Sequence, residues 1–172
     1  MARLQDDMMS FLSASEIEKL VKRMAKEIQH DYSGKELILI CPLKGSVHFV
    51  ADLMRQLDLN QQVDFVQLSG AGAFGTVRIL KDISVNIANK HVLICEEIID
   101  TGRTLSFLKT RLLASNPASL KVAALLDKPA RRELPIKPDY VGTTIEDRYV
   151  VGYGMDAEEL GRNYDGIYYF KQ

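Results

Sequence analysis

The chain has 172 residues, 47% hydrophobic and 26% charged, which suits one globular domain (residues 1–172) able to bury roughly 70% of its unfolded surface. Its net charge of -1, from 22 basic and 23 acidic residues, supplies no general basic field for nucleic acid or an anionic membrane, so any anion site must be built locally. Apolar runs fall far short of the roughly 18 residues of a spanning helix, and "MARLQDDMM" lacks a signal-peptide pattern, so a soluble, cytoplasmic protein with two buried free thiols, Cys41 and Cys95, is expected.

In chain order, Ser13 and Glu16 form a capping box, and Ile17, Leu20, Val21, Met24 and Ile28 follow at helical spacing, predicting an amphipathic helix to about His30. "ELILICP" reads as a strand, "LKGS" breaks it, and Val47, Val50, Leu53, Met54 and Leu57 resume the helical period. "VDFVQL" is another strand, followed by the glycine-rich "SGAGAFGT" and an extended "VRILKDISV". "KHVLIC" leads through an acidic turn to a helix carrying Leu105, Leu108, Leu112 and Leu113, and "LKVAALL" is one more buried strand. "KPARRELPIKPD" reads as a proline-containing connection whose basic residues are solvated. His30, His48 and His91 are scattered without metal-ligand spacing and suit structural or surface roles.

Short apolar strands alternating with helices predict an α/β fold whose mostly parallel sheet is covered on both faces. Cys41 and Cys95 then mark the carboxyl ends of two strands, where ligands collect in open sheets. "PLKGS" and "EEIIDTGRT" should therefore face one crevice.

The second of these segments has the chemistry of a ligand site. Thr101, Gly102, Arg103 and Thr104 precede a helix, so backbone N–H groups and two hydroxyls can converge on a phosphate at its positive end. Glu96 and Glu97 supply acceptors suited to adjacent sugar hydroxyls or to a hard cation. A ribose phosphate would satisfy both halves. The competing explanation puts the acids in an exposed turn with Asp100 as the N-cap of the next helix.

"LICEEIIDTGRTL" closely resembles the phosphoribosyl-pyrophosphate signature of the type I phosphoribosyltransferases. From about residue 36 to the C-terminus the chain is similar to the hypoxanthine-guanine members of that family. The resemblance implies a Rossmann-like core, a flexible lid loop at about residues 69–77, and a small base-binding hood from segments near the N-terminus and at about 138–172. It also implies Mg²⁺ as cofactor, 5-phosphoribosyl 1-diphosphate and a 6-oxopurine as small-molecule substrates, no nucleic-acid or membrane partner, and a homodimer or homotetramer.

Carried over residue by residue, the resemblance assigns the ribose hydroxyls to Glu96 and Glu97, the 5-phosphate to Thr101, Gly102, Arg103 and Thr104, and the neighbourhood of purine N7 to Asp100. "LKGS" resembles the pyrophosphate loop, with the backbone of Lys44 and Gly45 meeting the leaving group, and Arg162 in "LGRNYDG" matches an arginine that contacts it. Lys128 in "LLDKPARR" corresponds to the lysine that donates to O6; having donors and no acceptor, it should reject adenine's exocyclic amine. In "DRYVVGYGMD", Tyr149 would stack on the purine, the Val150 backbone would read its edge and Asp156 would join Glu96 and Glu97 around the metal, with Ile98 also against the base. Without the resemblance, that segment reads as a core strand with Tyr149, Val151 and Tyr153 on one face, Lys44 as a loop lysine and Arg162 as a surface ion pair.

Two features depart from the family. Glu97 stands where it usually has aspartate, and the lid has Ser69 and Gly70 in a short segment without the usual Ser-Tyr pair. "GAGAFG" also satisfies the dinucleotide-binding G-x-G-x-x-G pattern, but the following "TVRILKDISV" is strand-like where that fingerprint needs a helix. The expected activity is purine salvage, with transfer of a phosphoribosyl group to N9 of hypoxanthine or guanine; the alternatives are a nucleic-acid-binding regulator that senses the diphosphate and a dinucleotide-dependent oxidoreductase.

Overall fold

The Ser13 side chain accepts from the Glu16 amide while the Glu16 carboxylate accepts from the Ser13 amide at 2.8 Å, so two orphan donors of a helix start are satisfied at once. The helix they begin, α1 (Ala14–Asp31), buries Ile17, Val21, Met24, Ala25 and Ile28 along one stripe. The structure, a computed structural model, describes residues 7–69 and 76–171. Gly70 and the rest of "GAGAFG" lie outside the described residues.

The main sheet comprises β2 (Leu37–Leu43), β3 (Gln61–Ser69), β4 (Arg78–Lys81), β5 (His91–Ile99), β6 (Ser119–Asp127) and β7 (Tyr140–Thr144), ordered β4-β3-β2-β5-β6-β7. All neighbours are parallel except β3 and β4. Helices α2 (Val47–Gln56) and α3 (Arg103–Leu113) make two of the crossovers. A second, antiparallel sheet joins β1 (Met8–Leu12), β9 (Ile167–Phe170) and β8 (Val150–Val151), so the two ends of the chain meet in one small layer.

Alternation along the central strands serves both faces. Leu37, Leu39 and Cys41 of β2 and Leu93 and Cys95 of β5 pack with Met24, Ile28, Phe49 and Leu53 of the α1/α2 layer. Ile38, Ile40, Val92 and Ile94 pack with Leu105, Leu108 and Leu112 of α3. Strands buried on both sides need to be apolar at nearly every position.

Two expectations change, and one residue of a predicted helix faces outward. Cys41 and Cys95 are buried within their strands, which run on to Leu43 and Ile99; Pro42 and the two glutamates only look like strand breakers. Of the extended "VRILKDISV", only Arg78–Lys81 is strand. Leu113 is exposed at the end of α3.

Candidate active site

The chain goes from β2 to β3 on one side of the sheet and from β5 to β6 on the other, so β2 and β5 flank the point where the winding reverses. Ladder pairing between them stops at Ile40 and Ile94, whereas β2 stays paired to β3 as far as Leu43. The unpaired carboxyl ends splay into a crevice of the kind that binds ligands in open α/β sheets.

Glu96 and Glu97 occupy this opening within β5, and the expected acidic turn is strand. Their neighbours change faces across them: Ile94 belongs to the α3 layer, while Ile98 packs on the α1/α2 layer and Ile99 returns to α3. A cavity of about 210 Å³ is lined by Pro42 and Leu43 from β2, by both glutamates, and by Thr101, Gly102 and Thr104. Gly102 is the N-cap of α3 at φ +83°, and a Cβ there would lie 2.6 Å from Ile136 Cγ2, so both conformation and packing require glycine. Asp100 is therefore not the cap. The Arg103 amide bonds Thr101 Oγ1 at 3.3 Å, while its guanidinium turns away to Glu133 at 2.5 Å.

A second cavity, about 180 Å³, is lined by Ile98, Asp100, Lys128, Tyr149 and Val150, with Glu97, Met155 and Asp156. Its apolar wall is Ile98 and Met155, its exposed aromatic is Tyr149, and its buried cation is Lys128, whose ammonium has no hydrogen bond or ion pair with the other described residues. "DRYVVGYGMD" does not form the alternative core strand: only Val150 and Val151 are extended into a ladder, and Gly152, Tyr153 and Gly154 all have positive φ. The Tyr149 hydroxyl donates to the Asp156 carbonyl at 2.7 Å.

The pyrophosphate-loop candidates converge on the same rim. After the cis Leu43–Lys44 peptide, Gly45 passes so close to Glu97 that a Cβ would sit 1.9 Å from its Oε1, and a Cβ on Gly154 would sit 1.9 Å from the Gly45 carbonyl oxygen. Arg162 donates to the Gly154 carbonyl at 2.8 Å and pairs with Asp156 at 2.8 Å. Lys44 extends its ammonium to Glu159 at 2.8 Å.

Burial, followed by the charge of Glu97, pushes the Glu96 carboxyl well up from the ordinary carboxylate range. Burial likewise pushes Glu97 up to about 7 against the opposing pull of Arg162. Glu97 Oε2 is buried without a hydrogen-bond partner. Such an atom calls for a proton, a donor or a cation.

The loop expected to be solvated is largely exposed, yet two of its arginines reach the candidate site. One turn of 3-10 helix (Pro129–Arg131) brings Arg131 Nε to Asp100 Oδ1 at 2.9 Å, and Arg131 also faces Asp147 at 3.5 Å. Arg132 pairs with Asp127 and donates to the Asp100 carbonyl. Reading the sequence missed Arg131, Arg132, Asp127, Met155 and Glu159; the doublet in "KPARR", directly after Lys128, was the available signal. Ser69 closes the root of the candidate lid, its hydroxyl accepting from the Arg78 amide at 3.1 Å. Two larger cavities, about 340 and 310 Å³, lie against the small sheet and the α1/α2 surface, the first meeting the second candidate cavity at Val150.

The profile of the phosphoribosyl transferase domain matches residues 9–158. The chain belongs to the phosphoribosyltransferase family. Among curated proteins, this phosphoribosyltransferase is 44% identical over 156 residues to a hypoxanthine-guanine phosphoribosyltransferase of Staphylococcus epidermidis, spanning 88% of this chain and 87% of that one. Among solved structures it superposes on a hypoxanthine-guanine phosphoribosyltransferase from Bacillus anthracis, with a HEPES molecule in the active site, at a TM-score of 0.92, 40% identity and coverage of 95% and 97% of the two chains. A hypoxanthine phosphoribosyltransferase from Staphylococcus aureus gives a TM-score of 0.94 at 38% identity, covering 98% of this chain and 94% of that one. The phosphoribosyltransferase fold accounts for the strand β4 after the glycine-rich segment, where a dinucleotide fold would place a helix.

Proposed function

We propose that residues 1–172 act as one domain that transfers the phosphoribosyl group of 5-phospho-α-D-ribose 1-diphosphate to N9 of hypoxanthine or guanine, giving IMP or GMP and pyrophosphate in purine salvage. The observation that carries this reading is the sharing of Glu97, Ile98 and Asp100 by two adjoining cavities, one ending in a helix N-terminus and the other walled by Ile98, Met155 and Tyr149. That arrangement suits a ribose phosphate whose C1 faces a planar base.

In this reading the amides and hydroxyls of Thr101, Gly102, Arg103 and Thr104 hold the 5-phosphate at the positive end of α3. Glu96 and Glu97 take the ribose hydroxyls and stabilise positive charge as it grows at C1. The backbone of Lys44 and Gly45, with the Arg162 guanidinium, receives the departing pyrophosphate. Asp100 holds or removes the purine proton through N7, Lys128 donates to O6, Tyr149 covers the ring face and the Val150 backbone reads its edge. Ser69, at the end of β3, is the described residue at the start of the expected lid, whose role would be to keep water from the reacting centre.

The donor set fits Mg²⁺. Glu97 presents an unpartnered buried oxygen near Asp156, whose own oxygens accept from Arg162 and from the Glu159 amide at 2.8 Å each. No group of three or more His, Cys, Asp or Glu forms a cage among the described residues, in keeping with an ion that takes one or two carboxylates and completes its shell with substrate phosphates and water. Of the expected Glu96, Glu97 and Asp156, the pair Glu97 and Asp156 would hold it, and the bound ion would neutralise charge on the diphosphate as the C1–O bond breaks.

The deciding experiment incubates the protein with Mg²⁺, the diphosphate and each of hypoxanthine, guanine, xanthine and adenine, and follows nucleotide by chromatography. Nucleotide from hypoxanthine or guanine and none from adenine is expected; no product from any base would refute the assignment. Among the described residues no helix is long and apolar enough to cross a membrane. A cytoplasmic homodimer or homotetramer completes the reading, and sedimentation velocity tests the assembly.

A further inference from the structure

Glu159 sits between the two cations that frame the candidate pyrophosphate subsite. Its Oε2 accepts from Lys44 Nζ at 2.8 Å and from Arg162 Nη2 at 3.3 Å. Lys44 belongs to the loop after β2 and Arg162 to the C-terminal segment, so a single carboxylate oxygen joins two parts of the rim that are 115 and 3 residues from it in sequence.

The backbone that presents this oxygen is unusual. Ala157 and Leu160 exchange two backbone hydrogen bonds of 2.9 Å around a two-residue turn, and the two central residues, Glu158 and Glu159, have φ of +50° and +68°. Such turns are ordinarily built with asparagine, aspartate and glycine, because other side chains are strained there. A long acidic side chain in that conformation points to a use for the side chain itself. The turn is further pinned by the Glu159 amide, which donates to Asp156 Oδ2 at 2.8 Å. The facing cations in turn hold the Glu159 carboxyl below its ordinary range, Lys44 contributing most.

We propose that Glu159 is an internal stand-in for a diphosphate oxygen: it gathers Lys44 and Arg162 into an anion-binding arrangement, is displaced when the diphosphate arrives, and competes for the same cations when pyrophosphate leaves. The proposal rests on the pyrophosphate subsite assigned under the proposed function and adds to its Lys44 backbone the Lys44 ammonium. The Lys44 and Glu159 side chains are 55% and 64% exposed, so the contact is weak enough to be exchanged for a more highly charged ligand. Glu159 thereby sets the affinity of the leaving-group subsite without touching the base or the ribose.

The test is calorimetric titration of pyrophosphate, with Mg²⁺, into the full-length protein and its Glu159→Gln and Glu158→Gln variants, alongside KM for the diphosphate and for the purine. Glu158 makes no contact with either cation, and its variant controls for the loss of one negative charge. Glu159→Gln should bind pyrophosphate about two- to fivefold more tightly, the range expected for removing an exposed ion pair that competes with the ligand. The diphosphate KM should fall by a similar factor, the purine KM should stay constant, and the gain should shrink in high salt. Glu159→Asn, which tolerates the left-handed turn, should show the same gain and serves if the glutamine variant does not fold. Unchanged or weaker pyrophosphate binding by the folded variant, or an equal gain in Glu158→Gln, would overturn the proposal. Binding is read without turnover, so a wild-type protein that binds pyrophosphate but makes no nucleotide would defeat the transferase reading while leaving this one to be decided by the titration.

Discussion

Asp100 shows how one residue's role depends on its partners. Its carboxylate is gripped by Arg131 at 2.9 Å and its carbonyl by Arg132, which orients the side chain toward the cavity that also holds Lys128. If Asp100 manages the purine proton, Asp100→Asn should lower kcat by about 10²- to 10⁴-fold, the usual worth of general acid-base assistance, while diphosphate binding persists. Stopped-time assays with parallel calorimetry check this, and an unchanged kcat would remove Asp100 from the chemistry. Arg131→Met should slow the wild type but add little in the Asp100→Asn background, because two residues acting through one contact are not additive. For Lys128, a charge-assisted hydrogen bond to O6 is worth about 1.5–3 kcal/mol, so Lys128→Met should raise the KM for hypoxanthine by roughly 10- to 150-fold. A KM that stayed level would mean O6 is read by another group.

At the level of elements, the site is made by where two strands and one helix stop. β5 carries its acids past the last pairing with β2, and the N-cap of α3, Gly102, lines the crevice together with Thr101 and Thr104. The apposition of Gly45 with Glu97 and Gly154 leaves no room for a methyl group. Gly45→Ala should therefore push the loop from Glu97 and raise the KM for the diphosphate at least tenfold, with a smaller effect on the purine KM; steady-state kinetics with each substrate varied separates the two. Elsewhere the elements are governed by ordinary local rules. Ser13→Ala removes one half of the capping box of α1, and a loss of about 1 kcal/mol is expected, seen as a shift of roughly 2–4 °C in the thermal midpoint. Activity should be retained.

For the molecule as a whole, the site is a source of instability that ligand binding relieves. Glu97 has its carboxyl raised from an ordinary 4.5 to about 7, chiefly by burial. Between those values the folded chain binds more protons than the unfolded chain, so stability is fullest below about pH 4.5 as far as this group is concerned and is lost as pH rises through about 7. With allowance for its contact with the open crevice, the contribution is on the order of 1–2 kcal/mol. Urea melts of the ligand-free protein at pH 5.5 and 8 should show this slope, and Glu97→Gln should reduce it, the raised carboxyl of Glu96 keeping part of it; a slope unaffected by the substitution would place the titration elsewhere. Addition of Mg²⁺ and the diphosphate at pH 8 should restore stability, since a ligand that binds only the folded state adds to it.

Much of the fold was legible from local patterns because helix and strand formation depend on neighbours in sequence. The Ser13–Glu16 box, the apolar β2 and β5 runs and the leucine stripe of α3 were readable on these grounds, and the long signature around Asp100 identified the crevice. Other features were not readable because their causes lie across the chain. Glu96 and Glu97 looked like a turn because isolated acids favour water, yet the ends of β2 and β5 enclose them within a strand. Arg131 is solvated as read and Arg132 is not, but the carboxylate partners of both, Asp100 and Asp127, are brought to them only by the packing of β5 beside β6. The amino-acid order by itself determined most of the elements, the family and the core of the candidate site's chemistry, Glu96 to Thr104 with Lys128. The tertiary structure alone decided which charges face one another, because electrostatic partnership depends on distance through space and on burial, and neither is a property of a residue's place in the chain.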